Sequence, residues 1–262
     1  MTAAATPTLY AQPVLLDRGR HRATRLRDAA DRSGAATLNA VFCAAAEFAE
    51  ACRVFPLLFV RSGETDADGR PVITPVCLLG LEPGENLFVD GPRWTAPYVP
   101  AFVRRHPFAR VDTPEAGEAR QAVAVDAAFP GLAESGDGER FFDDAGAPTP
   151  FLERMLAFLD DFEAAARLTR PIGGHLHALG LLKDMRATGQ LADGAPFSVD
   201  GFLVVDQDRL RALPDEAVLQ LFRGGLLDLV QAHLVSLGNL AALVERKSAR
   251  RARPQPGSPA AR

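Results

Sequence analysis

Residues 55–81 read FPLLFVRSGETDADGRPVITPVCLLGL. Phe55 to Ser62 is a strand-length run dominated by large apolar residues, and Val72 to Leu81 returns with the same character. Between them, Asp68-Gly69 is the dipeptide that supplies the positive φ of a tight hairpin turn. The stretch predicts an antiparallel β-hairpin. Pro75 has no N–H to give to a ladder, so the returning strand is expected at an edge or at a bulge.

Upstream, Thr37 can cap a helix running through LNAVFCAAAEFAEACRVF and ending before Pro56. Residues 1–33 read as an irregular arm rich in Arg and Asp. Downstream, Glu82-Pro83-Gly84-Glu85 is a turn with Pro and Gly at the two central positions of type II geometry. Residues 86–90 (NLFVD) form a short strand. Tyr98 to His106 form a short helix entered through Pro97 and Pro100 and ended by Pro107. Residues 120–126 (RQAVAVD) alternate as a strand does. The Gly/Asp/Pro-rich span 127–150 is the best internal sub-boundary.

Beyond it the pattern becomes helical. Phe151, Met155, Phe158, Leu159 and Phe162 recur at helical spacing up to Arg170. Pro171 and Gly173-Gly174 break that helix before a second helical stretch at 175–185. Residues 196–206 return to strand with Asp200-Gly201 as a turn. Leu213-Pro214-Asp215-Glu216 opens a last long helix, with proline and acids in its first turn. The basic tail, 248–262, is expected to be disordered. The fold class is α+β: a mainly antiparallel N-terminal sheet region packed on a helical C-terminal half, one domain over 34–247.

With 47% hydrophobic and 24% charged residues, the composition is that of an ordinary soluble globular chain. A net charge of -4 gives no global attraction to nucleic acid, and no nucleic-acid partner is expected. Cys43, Cys52 and Cys77 include no C-x-x-C and read as small buried hydrophobes in a reducing compartment. The first residues lack the basic and apolar regions of a Sec signal. Leu226 to Val244 is interrupted by Asp228, Gln231, His233 and Asn239, so no membrane span is expected. A cytoplasmic location follows, with surface association by a non-Sec route as the alternative.

No G-x-G-x-x-G or Walker A pattern follows a strand, and no cofactor is expected. His175 and His177 would share one face in a strand, where a metal could sit, but their surroundings read as helical and would turn them about 200° apart. His233, Asp228 and Ser236 lack a nucleophile elbow and read as a buried polar cluster. The pairs Asp143-Asp144 and Asp160-Asp161 read as solvated. The binding candidate is the span holding Trp94, Tyr98, Arg104, Arg105 and His106, because large aromatics and arginine dominate binding hot spots. The competing assignment is structural: Trp94 caps the core and the arginines pair with Glu82 or Glu85.

The block GLEPGENLFVDGPRWTAPYVPAFVRRHPF (80–108) resembles the signature of the bacterial SapC family. The blocks at 38–61, 141–163 and 200–246 extend the resemblance to about residues 10–247. It implies association with a bacterial surface layer, by name, and genomic neighbourhood with flavin-dependent halogenase-like proteins and TonB-dependent receptors. The peptide-transport permease of the same name is a different protein. The function expected is a non-enzymatic accessory protein binding a peptide or protein partner in an envelope- or halogenase-linked system. The alternatives are an unrecognised, metal-dependent enzyme and a surface-layer structural component.

Overall fold

The computed structural model describes residues 8–66, 69–115 and 118–253. The first strands are β1 (Pro13–Leu15), β2 (Arg25–Leu26), β3 (Ala40–Phe42), β4 (Leu57–Thr65), β5 (Pro71–Leu78), β6 (Val89–Asp90) and β7 (Arg93–Trp94). The rest are β8 (Phe108–Glu115), β9 (Glu118–Asp126), β10 (Leu132–Ala133), β11 (Glu139–Arg140), β12 (Leu182–Gln190) and β13 (Pro196–Val205). The helices are α1 (Phe48–Ala51), α2 (Ala101–Arg104), α3 (Pro150–Ala178), α4 (Gln207–Arg211), α5 (Asp215–Arg223), α6 (Leu226–Ser236) and α7 (Asn239–Ala252).

The expected hairpin is the centre of the molecule. β4 and β5 pair antiparallel inside a five-stranded sheet of order β12-β13-β4-β5-β3. β5 is therefore interior, not an edge. Pro75 is accommodated where β3 ends: it needs no donor there, and its carbonyl accepts the N–H of Cys43 at 3.0 Å. The second sheet is β1-β9-β8, and two smaller ones are β10-β2-β11 and β6-β7. The architecture is α+β, with antiparallel sheets and a helical C-terminal region.

Several local expectations give way to tertiary demands. The helix expected from Thr37 is a strand followed by a single helical turn, because Ala40–Phe42 pairs with the open side of β5. Cys43 and Cys77 lie buried beneath that pairing, and their mutual hydrogen bond and burial hold the Cys43 thiol well above its usual pKa. Residues 8–33 of the arm contribute β1 and β2 to sheets, so the arm is built into the fold. The span 127–150 is no linker either: Phe129, Phe141 and Phe142 sit in a core cluster with Phe108, Leu152 and Leu159.

α3 continues through Pro171 to Ala178 instead of breaking. Gly173 explains why: a Cβ there would lie 2.2 Å from the Ile73 carbonyl oxygen, so the glycine lets the helix lie directly on β5. Residues 182–190 then form strand, not helix, opposite β13. Asp200-Gly201 is a bulge within β13, not a turn, because both face Arg186 alone, and Gly201 takes φ 81°.

The last helix is interrupted at Gly224-Gly225, where Gly225 takes φ 68°. After it, α6 and α7 run on through Leu237 and Gly238, both in helical conformation. Leu226–Ala252 is long and apolar enough to cross a membrane by length and composition, an 18-residue window within it having a mean hydropathy of 1.4. Within it, Asn239 donates to the Cys52 and Phe55 carbonyls at 2.7 and 3.1 Å. His233 and Ser236 engage β4.

The tail departs from expectation up to Arg253; residues 254–262 lie outside the described residues. Lys247 is only 8% exposed and bonds Glu82 at 2.9 Å and Glu85 at 2.6 Å. Arg250 donates to the Asn86 and Val89 carbonyls at 2.8 and 2.7 Å. α7 is thus clamped onto the turn at 82–85, whose Gly84 takes the φ of 80° that type II geometry requires.

Candidate functional site

The five residues expected to form a binding surface do not make one cluster: Trp94, Tyr98 and Arg104 adjoin one another, whereas Arg105 and His106 turn to other partners. Trp94 caps the core: it stacks on Phe88 at 5.9 Å, meets Phe55 edge-on at 6.2 Å, and donates Nε1–H to the Tyr98 carbonyl at 2.7 Å. Tyr98 donates its hydroxyl to Oε1 of buried Glu47 at 2.6 Å, and the same oxygen accepts the Ala101 N–H at 2.6 Å. The other carboxylate oxygen accepts the Ala44 N–H at 3.2 Å. Burial first, and then Glu47, push the Tyr98 phenol far above its ordinary pKa. Glu47 therefore fixes where α2 begins.

From α2 onward the next three side chains splay, as helical rotation demands. Arg104 is exposed, with its guanidinium 5.8 Å above Tyr98 and 5.2 Å above Phe158. His106 turns inward and bonds Oδ2 of Asp126 at 3.0 Å. That carboxylate also accepts the backbone N–H groups of Ala11, Gln12 and Ala128. Burial works to raise the Asp126 pKa, but these bonds outweigh it and hold it below the usual range. Burial also lowers the His106 pKa despite its carboxylate partner. The pair ties the N-terminal arm to β9, and its imidazole is enclosed edge-on by Tyr10 and Phe129. Burial raises the Tyr10 phenol to about 12, against the pull of Arg105. Glu82 and Glu85, expected partners of the arginines, are taken by Lys247.

Of the five, Arg105 lines a cavity. A trough of about 540 Å³ runs between the β4–β5 hairpin, α2 and α3. The Arg105 guanidinium sits between two aromatic walls, 4.4 Å from the Phe102 ring centre and 4.5 Å from that of Phe162. Its ion pair with Glu163 is long, at 3.7 Å, and its Nε–H has no partner. The side chain is 13% exposed. Stacking holds it in place, and the terminal nitrogens of a guanidinium can grip a carboxylate with two hydrogen bonds.

A second hollow of about 450 Å³ continues along α3, sharing Asp66, Val72 and Arg170 with the first. Arg167, Arg170 and His175 line it, over a floor that includes Pro171 and Gly174. Arg170 is exposed and makes no ion pair among the described residues. Pro171 has no N–H, so the Arg167 carbonyl is left without its helical partner and is available as an acceptor. From Phe162 to Ala178 the trough follows about 24 Å of helix, the length of about seven extended residues.

His175 and His177 both lie exposed in the last turn of α3, pointing apart, and only His175 reaches the trough. Among the described residues no group of three or more His, Cys, Asp or Glu is placed to hold a metal ion. Asp160 pairs with Arg110 and Asp144 with Arg140, each as an exposed single carboxylate. Sequence reasoning missed Glu47, Glu163, Arg170 and the aromatic walls Phe42, Phe102 and Phe162. Phe102 was within reach, since it stands one helical turn before Arg105. The others come together only through folding.

No curated protein matches this chain, and no solved structure does. The SapC family model matches residues 16–243, which take in the five-stranded sheet, the α3 trough and the first part of α7. The chain belongs to the SapC family.

Proposed function

We propose that the chain is a non-enzymatic binding protein that takes an extended, acid-bearing segment of a peptide or protein partner along α3. The observation that carries this reading is Arg105, stacked between Phe102 and Phe162 at the head of a trough of peptide length. A carboxylate on Arg105 forms charge-assisted hydrogen bonds of about 1.5–3 kcal/mol each. Arg170 meets a second acidic or carbonyl group halfway along, and the free Arg167 carbonyl accepts a main-chain N–H. The partner system to examine first is a flavin-dependent halogenase-like enzyme or a TonB-dependent receptor; a surface-layer component comes next.

Selection of heptapeptides on the full chain from a displayed library, followed by calorimetry, tests the reading. Acidic sequences should be enriched, and Arg170→Glu should weaken them at least tenfold without lowering stability, because Arg170 is exposed and makes no ion pair among the described residues. The reading fails if no sequence is enriched, or if enriched peptides bind Arg170→Glu as tightly as the wild type.

A further inference from the structure

On the face of the five-stranded sheet that meets the α6–α7 rod lies a separate cavity of about 180 Å³. Leu58, Phe202 and Val204 form its sheet wall, and Leu237 and Leu240 close it from the rod. Every residue lining it is apolar. A buried water needs two to four polar partners, and this cavity offers none from side chains.

The cavity depends on the bulge in β13. Val199 and Phe202 are three residues apart, so in a regular strand they would face opposite sides of the sheet. Because Arg186 opposes both Asp200 and Gly201, the alternation is reset, and Val199 and Phe202 point to the same side. The positive φ of Gly201 permits the bulge, and the Arg186–Asp200 ion pair at 3.3 Å marks the bulged position. Met185, 45% exposed, stands at the edge of the cavity. An unbranched thioether there can move aside or close over an occupant.

Apolar cavities of about 150 Å³ stay dry and take up benzene-sized molecules. We propose that this cavity is a binding site for a small, uncharged apolar molecule about one six-membered ring in size. It is independent of the α3 trough: the two share no lining residue. Charged rings are excluded, since no side chain in the lining can compensate the lost hydration of an ion.

The full chain reports on the cavity directly, because its three methionines are Met1, Met155 and Met185. With methyl-labelled methionine, a benzene titration should shift the Met185 resonance saturably through the ring current. Met155 packs in a different cluster and should not move. Benzoate at the same concentrations should leave Met185 in place. Ala187→Leu, which fills the cavity, should weaken benzene at least tenfold. The proposal is overturned if Met185 does not shift, shifts without saturating, or responds equally to benzoate. It is also overturned if a folded Ala187→Leu protein binds benzene as the wild type does. Should that variant fail to fold, the wild-type titration decides alone.

Discussion

Nδ1 of His233 lies 2.7 Å from the carbonyl oxygen of Leu57, inside a fully buried contact between α6 and the start of β4. The other ring nitrogen accepts the Val205 N–H at 3.0 Å. The backbone partners fix the tautomer: Val205 can only donate and the Leu57 oxygen can only accept, so Nδ1 carries the proton. β13 and β4 pair at Phe202↔Val60 and Leu203↔Phe59. Two residues further along, between Val205 and Leu57, the imidazole takes the place of the ladder. Ser236 completes the junction by accepting the Leu57 N–H at 2.8 Å.

A pH dependence of stability follows. Burial lowers the His233 pKa to about 4, against about 6.5 in the unfolded chain. The unfolded state takes up the proton first, so this contribution is complete above about pH 6.5 and is lost as pH falls toward 4. The loss amounts to about 3 kcal/mol. Urea unfolding at intervals from pH 7 to pH 4 should show that decline. In His233→Leu, weaker throughout, the slope should be shallower by about one proton; an unchanged slope would exclude the assignment.

Glu47 and Tyr98 form the joint on which α2 rests. Tyr98→Phe removes one donor from a buried carboxylate and should cost about 1.5–3 kcal/mol. Glu47→Gln should cost at least as much, because its amide must either face the Ala44 N–H or give up the bonds at Oε1. Chemical denaturation of both variants measures this, and a loss below about 0.5 kcal/mol in each would show that the joint is dispensable.

Lys247 and Arg251 separate buried from exposed pairing on one helix. Burial lowers the Lys247 pKa, but Glu85 and Glu82 outweigh it and hold it above the ordinary value. Lys247→Met leaves the Glu85 carboxylate, only 14% exposed, facing an apolar group and should cost about 1–3 kcal/mol. Arg251 pairs with Asp193 with both side chains about half exposed, so Arg251→Met should cost no more than about 1 kcal/mol. Equal losses from the two would contradict the clamp.

Adjacent glycines in α3 should respond in opposite directions. Gly173→Ala drives a methyl into the Ile73 carbonyl and should destabilise the chain, whereas a Cβ on Gly174 would meet nothing within 4 Å. Gly174→Ala should therefore gain about 0.5–1 kcal/mol from reduced backbone entropy of the unfolded chain. Thermal melts of both variants in parallel decide the matter, and a stable Gly173→Ala protein would mean that α3 does not lie on β5 as described.

The sequence by itself determined what short-range periodicity and turn chemistry encode: the β4–β5 hairpin, the alternating strand β9, the amphipathic start of α3, the type II turn at Gly84 and membership of the SapC family. Tertiary structure decided the rest. Residues 40–42 of the stretch after Thr37 became β3 because the open side of β5 needed a partner, and α3 crossed Pro171 because Gly173 could lie against Ile73. Trp94, Tyr98 and His106, chosen for their chemistry, proved to be held by Phe88, Glu47 and Asp126. The bonds responsible span 51 residues for Glu47–Tyr98, 162 for Glu85–Lys247 and 176 for Leu57–His233. A local pattern carries no record of a partner that distant, whereas burial of an unpaired polar group is costly enough to fix one once the chain is folded.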